Sequence, residues 1–289
     1  MSGVPPFPVV CGAPRSGTTL LRFMLDAHPD LAIPPETGFL TELAQLGARG
    51  AATRESVLAA ITGSVCWPDF HVDPGELRRE VLALDRFDVA EGARAFYRVY
   101  ARRFGKPRGG DKTPGYSIAQ DEVASVLPEA HFVHIFRDGR DVAVSVRGLW
   151  FSPGSDPATL AADWCRRVRL AREQGARARR YLEVRYESLV TDTRRELERI
   201  CAFLELRYDP AMERYHERAP ARLQEHETRT RPDGSVVITK AQRIHNQRFT
   251  QRPPEPARIG RFRADMTAEE RARFEQTAGP LLRELGYEV

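Results

Sequence analysis

The sequence is short of cysteine, of long apolar runs and of features that direct a chain to a membrane. No apolar stretch approaches the roughly 20 residues that a membrane helix needs, so a membrane protein is excluded. The four cysteines stand apart and form no C-x-x-C pair, which argues against a zinc site and predicts reduced, mostly buried thiols. The opening MSGVPPFPVV does not follow the pattern of a secretory signal, so we expect a cytoplasmic protein.

Lysine is scarce as well. Of the 44 basic side chains only three are lysines, Lys106, Lys112 and Lys240, so each lysine deserves consideration for a specific role. The net charge of +4 fits an anionic ligand but is too small to indicate a nucleic-acid binder. With 289 residues and 42% apolar content, the sequence predicts one globular domain over 1–289.

Strand and helix patterns alternate along the chain. Short apolar runs, such as FPVVC, predict strands at 7–11, 131–136 and 181–185, and apolar residues at helical spacing predict helices at 20–28, 141–149 and 191–204. This alternation predicts an α/β fold of the P-loop type, with a mostly parallel sheet and helices on both faces.

Two further segments complete the predicted architecture. Residues 51–104 have a helical pattern, and we interpret them as a helical cap over the sheet, called the cap below. Residues 219–260 are polar and weakly periodic, which is typical of a long loop or lid; this segment is called the lid, and its RPDGSVVITK predicts a turn plus a short strand. Thr267 with Glu270 forms a capping-box pattern that predicts a final helix.

The stretch GAPRSGTTL, residues 12–20, joins the first strand to the first helix. Its glycines have the spacing of the nucleotide-binding loop G-x-x-x-x-G-K-[ST], but Thr18 stands at the lysine position. Backbone N–H groups at a helix start still favour an anion, and Arg15 supplies a cation with two parallel donors. From the loop alone, an anion site and a plain glycine turn are both open.

Two other function classes are weaker fits. A P-loop kinase that uses ATP and Mg²⁺ would have to work without the loop lysine. A non-enzymatic nucleic-acid-binding module would need clustered basic residues, whereas segments such as RRELER and EERARFE alternate arginine with acid.

The longer stretch PRSGTTLLRFMLDAHPDLAIPPETGFL resembles the 5′-phosphosulfate-binding region of sulfotransferases that use 3′-phosphoadenosine 5′-phosphosulfate (PAPS), in particular the tyrosylprotein and related bacterial branches. The resemblance implies that the 5′-phosphosulfate is held by Arg15, Ser16, Gly17, Thr18 and Thr19. It also explains the missing lysine, because this donor has no γ-phosphate and needs no metal ion.

A second motif fits the donor's 3′-phosphate. In FRDGRDVAVSV, Arg137 ends a strand and Ser145 lies eight residues further on, as in the family's 3′-phosphate motif; an Arg-Asp pair at a solvated turn is the alternative. Arg140 is a supporting candidate. Weaker matches make Tyr186 a nucleotide neighbour and make Arg258 and Gly260, with Arg261, candidates for the 3′-phosphate, although this chain has Arg-Ile-Gly where the cytosolic branch has Arg-Lys-Gly.

Sulfuryl transfer to a hydroxyl group requires a general base. The cytosolic branch uses a histidine, but Pro114 stands at that position in GDKTPGY. By the same resemblance Glu36 in PPETG is the base, and partial burial would raise its pKa toward a working range; an exposed loop carboxylate is the alternative. Lys112 and Arg15 would offset charge on the leaving phosphate.

The acceptor is left open as a phenol or other hydroxylated small molecule, a glycan hydroxyl or a peptide tyrosine. The cap and the lid are expected to shape its pocket, with Tyr116 and Thr113 at the border. Aromatic candidates for that pocket are Trp67, Phe70, Trp150, Phe151 and Trp164. The sequence also leaves the oligomeric state open, a homodimer included.

Overall fold

A four-stranded parallel sheet organises the chain in the computed structural model, which describes residues 4–231 and 233–289. The strands are β1 (Phe7–Cys11), β2 (Leu31–Ala32), β3 (Arg108–Gly109), β4 (Asp111–Lys112), β5 (Ala130–Phe136), β6 (Tyr181–Arg185), β7 (Arg229–Thr230) and β8 (Val236–Ile238). The order in the main sheet is β4-β1-β5-β6, and β2 and β3 form a separate parallel pair. Val10 of β1 pairs with Lys112 on one side and with Val133 on the other, so the carboxyl ends of these strands lie at one edge.

Helices cover both faces of this sheet. They are α1 (Thr18–Asp26), α2 (Leu40–Ala48), α3 (Arg54–Thr62), α4 (Pro74–Leu82), α5 (Val89–Arg102), α6 (Gln120–Val126), α7 (Gly139–Val146), α8 (Pro157–Arg177), α9 (Tyr186–Thr191), α10 (Thr193–Phe203), α11 (Ala219–Leu223), α12 (Lys240–Asn246), α13 (Phe262–Asp265) and α14 (Ala268–Glu284). Because side chains alternate along a strand, Val9 packs with the cap helices α3–α5 on one face and Val10 packs with α1 and α10 on the other. The predicted α/β fold with helices on both faces is confirmed.

The predicted strands are confirmed, two of them at both ends and the third with one extra residue at Ala130. All three predicted helices differ at their boundaries. The helix predicted over 20–28 spans Thr18–Asp26, so it begins and ends two residues earlier. The helix predicted over 141–149 begins at Gly139 and ends at Val146, because Arg147 leaves the helical conformation with a ψ of 127° and Gly148 takes a positive φ of 78°. The helix predicted over 191–204 is interrupted at Asp192, which separates α9 from α10.

The predicted final helix is present with its capping box: the Thr267 side chain accepts from the Glu270 N–H, and the Glu270 carboxylate accepts from the Thr267 N–H. All four cysteines are buried free thiols, as the sequence predicts. Within the described ranges, no helix has both the length and the apolar character needed to cross a membrane.

The lid is more ordered than its composition predicts. It begins with α11, continues through an antiparallel hairpin of β7 and β8, and then forms α12. Short 3-10 turns at Arg248–Gln251 and Pro256–Arg258 bring the chain back to the carboxyl edge of the sheet. Polar side chains of the lid therefore lie over the carboxyl edge of the sheet.

Candidate active site

The loop after β1 passes its neighbours too closely for a side chain at either glycine. A Cβ at Gly12, where φ is 154°, would lie 2.2 Å from the carbonyl oxygen of Ile135. At Gly17, where φ is 104°, it would lie 2.6 Å from the ring of Tyr186. Arg15 itself takes a positive φ of 69°, which is uncommon outside glycine. The loop is a tight turn that aims the Arg15 side chain along the sheet edge.

The start of α1 offers hydrogen-bond donors to a ligand. Gly17 occupies the cap position without a side-chain hydrogen bond, and the first turn of α1 holds no acidic residue. Ser16 is buried, and its Oγ has no partner among the described residues. Since a helix start carries unpaired N–H groups and a partial positive charge, this turn favours an anion.

Arg15 connects the loop to α7 and to the lid. Its Nε donates to Ser145 Oγ at 3.0 Å and its Nη2 donates to the Asn246 carbonyl oxygen at 3.2 Å. Burial, followed by the charges of Arg258 and Arg137, lowers the pKa of Arg15 to about 10. Like charges therefore meet here, and an anion would relieve their repulsion.

Arg137 holds the second cationic position, at the end of β5. Its Nη2 donates to Asp141 at 3.1 Å and to the Arg258 carbonyl oxygen at 2.6 Å, while its buried Nε has no partner in the described chain. Its guanidinium lies 4.5 Å from the ring centre of Tyr186. Arg258 stacks on Phe249 at 3.8 Å.

Three of the weaker predictions have other surroundings. The N–H of Gly260 donates to Asp141 at 2.9 Å, so Gly260 closes the turn behind Arg137 and does not line the cavity. Arg140 forms ion pairs with Asp138 and Glu275, and Arg261 pairs with Asp265. The charges of Arg140 and Arg261 are therefore already neutralised.

These elements enclose one cavity of about 390 Å³ at the carboxyl edge of the sheet. The residues predicted for the site that line it are Arg15, Gly17, Thr18, Thr19, Glu36, Lys112, Arg137, Ser145, Tyr186 and Arg258; Ser16, which was also predicted, is buried and does not line it. Two segments that are far apart in sequence, the loop after β1 and the end of β5, thus contribute to a single site.

Glu36 and Lys112 form an ion pair in the wall of this cavity. The Lys112 ammonium donates to Glu36 Oε1 at 2.8 Å; the lysine side chain is 3% exposed and the glutamate side chain, which faces the cavity, is 45% exposed. Burial raises the pKa of Glu36, but the charge and hydrogen bond of Lys112 outweigh this effect and the pKa is lowered. The predicted upward shift is therefore wrong, and Glu36 is an ionised carboxylate at neutral pH.

A buried hydrogen-bond network holds this pair in place. The hydroxyl of Thr37, next to Glu36, donates to Asp111, next to Lys112, at 2.5 Å, and Tyr97 donates to the same carboxylate at 2.7 Å. The N–H of Thr37 donates to Thr113 at 3.1 Å. Tyr116 and Thr113 are buried in this network and do not border the cavity, contrary to the expectation for both.

Several lid residues that the sequence did not single out line the cavity, and three of them are grouped in the structure: His226, Arg229 and Arg243. All three lie around Asp69, a buried carboxylate in the cap. Arg243 donates to both Asp69 oxygens, at 2.7 and 2.5 Å, and Arg229 donates to one of them at 3.2 Å. The cap thus acts on the site through the lid; within the described residues, none of its own side chains lines the cavity.

The five aromatic candidates divide into two groups. Trp150 and Phe151 line the mouth of the cavity and are 58% and 37% exposed. Trp67, Phe70 and Trp164 pack in the core. Only the loop between α7 and α8 therefore offers tryptophan to a ligand.

Comparisons with known proteins identify the relatives of this chain. The model of the sulfotransferase family matches residues 6–210. The nodulation protein NoeE of Sinorhizobium fredii is 31% identical over 237 residues, covering 72% of this chain and 52% of that protein. A putative protein-tyrosine sulfotransferase of Caenorhabditis briggsae is 29% identical over 218 residues, covering 72% of this chain and 68% of the relative. The chain thus spans about half the length of NoeE.

Solved structures show the same fold. The sulfotransferase domain from the olefin synthase of Synechococcus PCC 7002 superposes with a TM-score of 0.63 at 22% identity and covers 100% of this chain and 98% of that one. The sulfotransferase domain from the curacin biosynthetic pathway superposes with a TM-score of 0.56 at 16% identity, with complete coverage of both chains. Since the family model matches more than half of its residues, this chain belongs to the sulfotransferase family.

Proposed function

We propose that this enzyme moves a sulfuryl group from PAPS to a hydroxyl group of a small molecule or glycan, with Glu36 as the general base. The observation that carries the proposal is the convergence of Arg15, Arg137 and Arg258 in the cavity that also holds Glu36 and Lys112. A donor with phosphate at both ends needs separated cations, and sulfuryl transfer needs a base near the sulfuryl group.

The residues present fit such a donor. Ser16 Oγ and Arg137 Nε are buried polar atoms without partners in the described chain, and a phosphate oxygen is the kind of acceptor that would satisfy the arginine. In the proposal, the loop residues 15–19 hold the 5′-phosphosulfate, while Arg137, Ser145 and Arg258 hold the 3′-phosphate. Tyr186 lies between the two sets, against Gly17 and under Arg137.

The ion pair between Glu36 and Lys112 determines the roles that we assign to these two side chains. When bound, PAPS supplies a sulfuryl group that is activated by its link to a phosphate. Glu36 is ionised and faces the cavity, so it accepts the proton of the acceptor hydroxyl. Lys112 and Arg15 stabilise negative charge on the departing phosphate, an effect whose loss typically costs about 3 kcal/mol of barrier.

The test combines binding and turnover. Isothermal titration with 3′-phosphoadenosine 5′-phosphate (PAP) should give saturable binding without added metal. A panel of phenols and sugars, incubated with the enzyme and PAPS, should give a sulfated product and PAP in equal amounts. Absence of PAP binding, or turnover of ATP with Mg²⁺ in place of PAPS, would contradict the proposal.

A further inference from the structure

His226 places an imidazole in the wall of the cavity that holds Glu36 and Lys112. It follows α11 at the beginning of the lid hairpin, and its side chain is 10% exposed. Its Nδ1 is buried and has no hydrogen-bond partner among the described residues. The catalytic assignment above gives this titratable side chain no role.

Asp69 lies behind the imidazole. One of its carboxylate oxygens is 3.9 Å from His226 Nδ1, longer than a hydrogen bond but within the range of direct charge interaction. Arg243 and the N–H of Glu227 hold that carboxylate in place. A negative charge beside Nδ1 favours the tautomer that carries its proton there, which leaves the lone pair of the ring on Nε2.

The imidazole is neutral under ordinary conditions. Burial lowers the pKa of His226 to about 4, and the contact with Asp69 offsets only part of that effect. A neutral imidazole backed by a carboxylate is an arrangement that accepts a proton from a hydroxyl group and stabilises the resulting cation.

We infer that His226 is a second catalytic base of this site, so that removal of the acceptor proton does not depend on Glu36 alone. The inference rests on the proposed function. The acceptor oxygen bonds to sulfur while the bond from sulfur to the bridging phosphate oxygen breaks. The electron pair of that broken bond stays on the phosphate, and the hydroxyl proton moves to His226 Nε2. The imidazolium formed lies beside Asp69.

A set of four proteins tests this inference: the wild type, Glu36→Gln, His226→Gln and the double variant. Glutamine keeps hydrogen-bonding capacity but takes no proton. The measurement is single-turnover consumption of labelled PAPS in the presence of 2-naphthol, with sulfated naphthol and free sulfate both counted, so that transfer to water is included. PAP affinity shows that each variant is folded at the donor end.

His71→Gln is the matched control. His71 Nε2 contacts the carbonyl oxygen of Glu225 in the lid at 3.1 Å, yet the side chain does not line the cavity. We expect it to react at the wild-type rate.

We expect each single variant at the site to slow turnover and the double variant to be at least about 10-fold slower than Glu36→Gln, in keeping with the range for general base catalysis. Added imidazole should raise the rate of a Glu36→Gln, His226→Ala variant, an effect that a purely structural histidine would not give. A double variant as fast as Glu36→Gln, with no imidazole rescue, would overturn the role of His226 and leave the proposed function intact. Failure of the wild type to bind PAP would overturn both.

Discussion

The cations at the two ends of the cavity have different partners. The donor end holds Arg15, Arg137 and Arg258, and the reactive end holds Glu36 and Lys112. At the donor end, Arg15 donates to a hydroxyl and a backbone carbonyl, and Arg258 stacks on an aromatic ring. Among the described residues, one carboxylate is within ion-pair distance of any of these arginines: Asp141, which pairs with Arg137. At the reactive end, by contrast, Lys112 pairs with Glu36, and Arg229 and Arg243 pair with Asp69.

This difference indicates that the donor-end cations bind the anionic donor, whereas the reactive-end cations orient functional groups. Cations that face neutral oxygens keep most of their charge available, so the donor end attracts an anion. Cations that already pair with carboxylates contribute little net charge and instead fix the position of a functional group. The comparison predicts that changes at the reactive end mainly reduce turnover and that changes at the donor end mainly reduce affinity. Arg15, which the proposal also assigns to the departing phosphate, should affect both.

The largest effect is expected from Lys112→Met. Loss of the ammonium should lower turnover by about 10²–10³. It also removes the cation nearest to Glu36 and leaves Arg229 as the remaining positive charge close to it, so the pKa of Glu36 rises. A base is active when unprotonated, so the acidic limb of kcat should move to higher pH. The measurement is kcat against pH.

Lys240→Met is the control for that variant, because Lys240 pairs with Glu227 and lies outside the cavity lining. Its pH profile should match that of the wild type. A Lys112→Met protein with an unchanged acidic limb would show that the ion pair does not set the ionisation of Glu36.

The next effect is that of Glu36→Gln. Removal of a general base should lower turnover about 100-fold, while the Kd of PAP changes by less than about twofold, since the donor-end arginines are untouched. Steady-state kinetics and titration calorimetry separate the two quantities. Glu42→Gln, an exposed change in the first turn of α2, should alter neither. A large loss of PAP affinity in Glu36→Gln would remove the distinction between the two ends.

The last predicted effect is on affinity, at the donor end, in Arg15→Ala and Arg137→Ala. Each removes a charge-assisted contact worth about 1.5–3 kcal/mol, so the Kd of PAP should rise about 10- to 150-fold. Arg261→Ala, whose charge is paired with Asp265, should bind PAP like the wild type. Unchanged PAP affinity in both Arg15→Ala and Arg137→Ala would refute the assignment of the donor end.

Local patterns explain what could be predicted from the sequence. The strand, glycine loop and helix around Arg15 follow from residues adjacent in the chain, and so does the pair Arg137 and Ser145. The downstream helix boundaries were wrong because Asp192 and Arg147 leave the helical conformation. No proline or glycine marks the break at Asp192, whereas Gly148 directly follows Arg147 and was a signal for the end of that helix.

Contacts between distant segments explain what could not be predicted. Asp69 meets Arg243 across 174 positions, and no periodicity in either segment indicates that pairing. His226 lies in a polar stretch whose composition predicts only a loop. The predicted direction of the pKa shift of Glu36 was wrong because the sequence suggested only the burial of this carboxylate. The contact with Lys112, which lowers the pKa, depends on the pairing of β1 with β4.

The contacts of Arg229 and Arg243 with Asp69 couple the lid to the turn at 67–70, so these two segments have to be exchanged together. A chimera that receives the lid of a relative while keeping this aspartate would pair it with foreign residues at 226, 229 and 243. Grafts between members of the family should therefore carry the turn at 67–70 together with 219–260, even though that turn lies outside the cavity lining.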